Sequence, residues 1–156
     1  MKCTMVQMVC IKKPLVPLFS EQLGRTYFSV DVGDWILVGL DSAYYGESPL
    51  FMAGSLKNSK GGEKQIEFLQ CVAKLGKPIL LMIHHNGIGI KDDAFNLNTK
   101  LWNQVSSALG GHMPEAWYWG HVHNALVYKN EEMPLLNGVT SPSGQTPKFR
   151  CCGHAS

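Results

Sequence analysis

His84-His85 and His121-x-His123 are the residues of this 156-residue chain whose types and spacing point to chemistry. The first pair closes the run LLMIHHN, and the second lies in YWGHVHN. Neutral imidazole is the commonest metal-ligating side chain, and two such donors on one short rigid link lose little entropy when they close on an ion. In an extended turn residues i and i+2 point the same way. His121 and His123 are therefore expected to aim at one small volume, with Gly120 leaving room for them. His84, at the exit of a second strand, is expected to join them within about 5 to 6 Å, as ligands to adjacent ions must. His85, next along an extended segment, is expected to face away from its neighbour. It is read as supporting a ligand or facing the substrate rather than binding the metal, and His85 and Asn86 are the catalytic candidates. His112 and His154 have weaker contexts and are read as structural.

The elements that must position these groups follow from hydrophobic periodicity. Tyr27 to Val32 and Trp35 to Asp41 read as two strands around a Gly33-Asp34 turn, a β-hairpin. Residues 42–62, rich in glycine and carrying Tyr44 and Tyr45, read as a long loop of the kind that often serves function. Glu63 to Leu75 repeats apolar residues at helical spacing through Ile66, Leu69, Val72 and Ala73, and stops at Gly76, where a left-handed cap is easiest. Ile79 to Ile83 is continuously apolar, which predicts a strand covered on both faces. A second helix is expected at about 98–109, then strands at Ala116 to Trp119, Ala125 to Tyr128 and Lys148 to Cys152. Both histidine clusters thus fall just beyond the ends of buried strands, where an open sheet gathers its functional loops. Asp41 reads as a structural cap. Tyr44 and Tyr45 read as loop packing, with substrate selection as the other role for loops 42–62 and 86–97.

Composition removes several classes. A net charge of +2 without a basic stripe gives no nucleic-acid patch. The longest apolar run, Pro78 to Ile83, is too short to span a bilayer, and MKCTMVQMVC lacks a signal-peptide pattern. Five cysteines form an odd set without CxxC spacing. They are read as buried hydrophobes or idle thiols in a reducing compartment, and the localisation expected is cytoplasmic. Residues 1–26, interrupted by Pro14 and Pro17 with at most a helical turn at Ser20 to Leu23, form a poorly defined N-terminal segment. Residues 27–156 are read as one partial domain.

LLMIHH followed by a helix and then WYWGHVHN resembles the last two motif blocks of the calcineurin-like metallophosphoesterases, over about residues 27–156. That family orders five blocks around a two-metal centre for phosphoester hydrolysis: Asp-x-His, Gly-Asp-x-x-Asp, Gly-Asn-His-Asp/Glu, a lone strand-end His and Gly-His-x-His. The resemblance implies an α/β fold with a mixed sheet and flanking helices, the C-terminal half of the family's two-sheet sandwich. It also implies that His84 and His121 bind one metal and His123 the other. Two divalent or trivalent ions (Mn, Fe, Zn or Ni) are implied as cofactors, and a phosphoester small molecule or a phosphoprotein as substrate. Asp-x-His and Gly-Asn-His do not occur in the chain, and Gly33-Asp34 is followed by Trp35 rather than a spaced Asp. The ions are thus expected to be incompletely liganded, with an N-terminal half or self-association completing the fold. Two other readings stand beside this one. The first is a non-catalytic remnant acting as a binding module, and the second a mononuclear zinc hydrolase using His84, His121, His123 and water.

Overall fold

The computed structural model describes residues 26–46, 53–91, 94–96, 100–123, 125–129, 131 and 133–153. The expectations for Ser20 to Leu23 and His154, and for two of the five cysteines, Cys3 and Cys10, fall outside them. Among the described residues eight strands and two α-helices follow in the order β1 (Phe28–Val32), β2 (Trp35–Leu40), α1 (Glu63–Ala73), β3 (Ile79–Ile83), β4 (Gly89–Lys91), β5 (Ala94–Asn96), α2 (Lys100–Ala108), β6 (Ala116–Trp119), β7 (Ala125–Tyr128) and β8 (Lys148–Cys152). Six strands form one mixed sheet in the order β1-β2-β3-β6-β8-β7, and β4 and β5 make a separate hairpin. The class is α/β, as expected.

Gly33-Asp34 is the two-residue turn between β1 and β2, which pair antiparallel from Phe28↔Gly39 to Val32↔Trp35. β2, β3, β6 and β8 then run parallel, and β7 returns antiparallel to β8. Glu115 helps to set the register at the start of β3 and β6. Its buried carboxylate accepts the Ile79 N–H at 2.7 Å and the Ser143 N–H at 3.3 Å. Helix α1 ends at Ala73, two residues short of the expected Leu75, and Gly76 beyond it has φ 69°.

The core explains why the site opens at one end. Successive β2-α1-β3 and β3-α2-β6 crossovers advance across the sheet in the same direction, so right-handed connections place both helices on the same face. On that face Leu69 and Val72 of α1 and Leu101, Trp102 and Val105 of α2 pack with Ile36, Val38, Leu81, Trp117 and Phe149. Trp102 stacks on Trp117 with ring centroids 5.9 Å apart and planes 13° apart, an aromatic pair worth about 0.5–1.5 kcal/mol beyond its buried area.

No described element covers the opposite face. Strand alternation puts Val32, Trp35, Met82 and Val127 there, and they are 56%, 41%, 47% and 64% exposed. This corrects the expectation that β3 is covered on both faces: Ile79, Leu81 and Ile83 are buried, while Met82 between them is exposed. Exposed apolar side chains on one open face favour association, although Arg150 stands between Met82 and Val127 in the register. The purified chain should therefore sediment as concentration-dependent dimers or larger species, and Met82→Lys with Trp35→Glu should shift it toward monomer. A monodisperse monomer that binds no hydrophobic dye would contradict this.

The cysteines depart from expectation in one case. Cys151 and Cys152 are free thiols, but Cys71 on α1 is disulfide-bonded. Pairing depends on spatial neighbours, which an unspaced cysteine set does not reveal. Among the described residues no helix is long and apolar enough to cross a membrane.

Candidate metal centre

Parallel strands deliver their carboxyl ends to one edge of the sheet, and neighbouring exits there lie about 4.8 Å apart. Ser42 comes two residues after β2, His84 and His85 directly after β3, and His121 two residues after β6. The exits of β3 and β6 are tied together, because the His84 carbonyl accepts both the Gly120 N–H at 3.1 Å and the His121 N–H at 2.9 Å.

His84, His85 and His121 form the centre, with ligand atoms all within 4.8 Å of one another. His84 Nε2 and His121 Nδ1 are 3.1 Å apart. The His85 ring lies 4.7 Å from the His84 ring and 4.5 Å from that of His121. Two imidazole nitrogens on one first-row ion, each bonded at about 2.0–2.1 Å, stand roughly 3.0–3.4 Å apart. The His84–His121 spacing falls within that range, so this donor set fits a divalent ion that accepts nitrogen. Among the described residues no carboxylate or thiol joins the group.

Two of the three expected ligands belong to this group. His84 and His121 meet, but His123 is exposed and does not join the group. Residues 121–123 bend instead of running extended, so the i, i+2 rule for strands does not govern where the two rings point. His123 is still felt there electrostatically, by both His84 and His121. The assignment of His85 changes as well. The chain bends at His84-His85, and His85 turns inward to 1% exposure instead of facing a substrate. Gly120 leaves no special room, since a Cβ there would meet nothing within 4 Å.

The remaining candidates have local work. Asn86 donates its side-chain amide to the Ile88 carbonyl at 2.6 Å, which shapes the turn after β3. Asp41 Oδ1 accepts the N–H groups of Ala43 and Tyr44 at 2.9 and 3.1 Å, the cap expected of it. Tyr45 packs on Tyr44 edge to face at 5.0 Å. His112 Nδ1 lies 3.3 Å from Thr140 Oγ1, outside the centre.

Three residues outside any motif hold the centre in place. Ser42 Oγ lies 2.8 Å from His85 Nδ1. Gln65, buried on α1, accepts the Asp41 N–H at 2.7 Å and donates to the carbonyls of Asp41 and Leu56. Gln104 on α2 accepts the Leu56 N–H at 2.7 Å and donates to the Lys57 carbonyl. Gln65 had a visible signal: it stands four and seven residues before Leu69 and Val72, on their helical face, where a polar group must find buried partners. Residues 55–57 are accordingly fastened to both helices and brace the β2 exit.

Burial holds the His84 imidazole below its ordinary pKa of 6.5, with His85 and His123 adding to the effect. Burial, then His85, His84 and His123, does the same at His121. Both rings are neutral at neutral pH, the form a metal requires. Because the folded pKa values lie below the unfolded ones, the unfolded chain binds more protons as pH falls through about 6.5, and stability is lost in that direction. The metal-free chain should melt at a lower temperature at about pH 5.5 than at about pH 7.5. The fall should be shallower in a His84→Ala/His121→Ala variant. Equal slopes in the two proteins would show that these histidines are not responsible.

Comparison of the chain with family models, curated proteins and solved structures gives no match.

Proposed function

We propose that this chain carries the histidine part of a metal-dependent phosphoester hydrolase centre, of the kind its LLMIHH and GHVH runs resemble. The observation behind the reading is the convergence of His84, His85 and His121 within 4.8 Å at the carboxyl ends of adjacent parallel strands. An ion held there would act as a Lewis acid toward a phosphoryl oxygen and lower the pKa of a bound water. His84 and His121 would hold it through the nitrogens that now face each other, and His85 would complete the set. On this reading the sheet is one layer of a two-sheet sandwich, and the exposed face of Met82 and Val127 is where the second layer belongs. Phosphoester small molecules or phosphoproteins are the substrates.

The absence of a carboxylate from the group, among the described residues, favours a second reading, a mononuclear zinc centre of three histidines and water. Two measurements separate the possibilities. The chain should bind Mn2+ or Zn2+, and the Mn2+-loaded form should broaden the 31P resonance of inorganic phosphate, an effect lost in His121→Ala. Bis(p-nitrophenyl) phosphate should be hydrolysed no faster than by metal in buffer, because no carboxylate bridge secures a second ion. Robust His121-dependent turnover would select the mononuclear zinc reading. Metal binding without any phosphate effect would select a non-catalytic binding module.

A further inference from the structure

We infer that Cys151 is a positioning residue of the centre, its thiol proton holding the turn after β6 in the bend that brings His121 to His84. The inference rests on the metal-binding reading above and adds what keeps the two facing nitrogens at the spacing one ion needs. β6 lies between β3 and β8 in the sheet, so the turn at 120–123 leaves between two neighbouring strand ends and is tied to both. On the β3 side the His84 carbonyl accepts the Gly120 and His121 N–H groups at 3.1 and 2.9 Å. On the β8 side Cys151 Sγ donates to the Val122 carbonyl at 3.0 Å. His121 thus stands between two anchored backbone groups, its own N–H and the carbonyl of the next residue. Its Nδ1 is 3.1 Å from His84 Nε2.

The anchor itself is fixed. Cys151 is buried, and its strand is paired on both sides at that residue, with Trp119 of β6 and Leu126 of β7. Val122 packs its side chain against the core, so the bond joins two groups that folding has already placed. A carbonyl oxygen only accepts, which makes the thiol the donor and its proton the part that matters. Cys152, the next residue, is exposed, and strand alternation points it to the other face of the sheet. Donors held near bonding distance before an ion arrives lose less freedom on closing, and such preorganisation raises affinity.

The test uses the full chain with Zn2+ and Co2+. Cys151→Val, which fills the space without a donor, should weaken Zn2+ binding by about 10-fold, the lower end of the effect of losing a group that orients a ligand. It should also alter the d–d absorption of the Co2+-saturated form, which a loss of packing alone would leave unchanged. Cys151→Ser, which keeps a donor, should recover most of both, and Cys152→Ala should match wild type. Coupling between sites is reciprocal, so Zn2+ should slow alkylation of Cys151 by iodoacetamide in the wild-type chain, by about the same factor, and leave Cys152 unchanged. This measurement stands even if the Cys151 variants fail to fold. A folded Cys151→Val with wild-type affinity and Co2+ spectrum, a Cys151→Ser no better than Cys151→Val, or alkylation that Zn2+ slows at neither thiol or at both alike overturns the inference and leaves the metal centre standing. A wild-type chain that binds neither ion overturns both.

Discussion

His121→Ala should weaken Zn2+ binding at least roughly 100-fold, whereas His123→Ala should leave it within a few-fold of wild type. The magnitude follows from the 10–16 kcal/mol apparent free energy of a four-ligand structural zinc site, about 3 kcal/mol per ligand and hence about two decades of affinity. The contrast follows from geometry. His121 Nδ1 stands 3.1 Å from His84 Nε2, while His123 lies outside the group of converging donors. Isothermal titration with a competing chelator reads both variants on one scale, and the melting temperature without metal shows whether either has simply unfolded. If His123→Ala fell as far as His121→Ala, the ligand pairing within GHVH that its spacing suggests would be right, and the bend at 121–123 would have to open on metal binding.

Gly153→Ala should destabilise the chain by about 2–3 kcal/mol, the upper part of the range for overpacking, and should weaken metal binding with it. Gly153 follows directly on β8, and a Cβ there would overlap the carbonyl oxygen of Val122 and come within 2.6 Å of that of Gly120. Both atoms belong to backbone, which cannot turn aside as the end of a flexible side chain does. The same turn is held by Cys151, whose Sγ donates to the Val122 carbonyl at 3.0 Å. The β8 exit is thus the wall against which the GHVH turn is shaped. Urea unfolding should show a lower midpoint at an unchanged slope, with the Co2+ spectrum altered in the surviving folded fraction. A variant as stable as wild type would mean that the turn can move away from Gly153, and that its position does not matter to the centre.

Much of the fold is legible in the sequence because its elements have strong periods. The 3.6-residue spacing of Ile66, Leu69 and Val72 marks α1. The unbroken run Ile79–Ile83 marks β3, and Gly33-Asp34 marks the first hairpin. The β4–β5 hairpin is not legible, because strands of three residues carry too few alternations to register. The run of β3 cannot tell one covered face from two, since the exposed Met82 is as apolar as its buried neighbours. That distinction comes from the direction of the crossovers, which no single strand encodes.

For the centre, the chain's own order determines that His84, His85 and His121 leave the ends of buried strands, because strand ends follow from local pattern. Which imidazoles meet was decided only by tertiary structure. His85 turns inward and His123 stays out because the backbone bends at 84–85 and 121–123, and a periodicity argument assumes an extended chain at those points. Ser42, Gln65, Cys151 and Gly153 act on the site from 112 residues of sequence, each through a contact with a group brought to it by strand pairing or helix packing. Residue spacing carries information over the few positions that one turn or one pleat spans; beyond that, the sheet order decides which side chains touch.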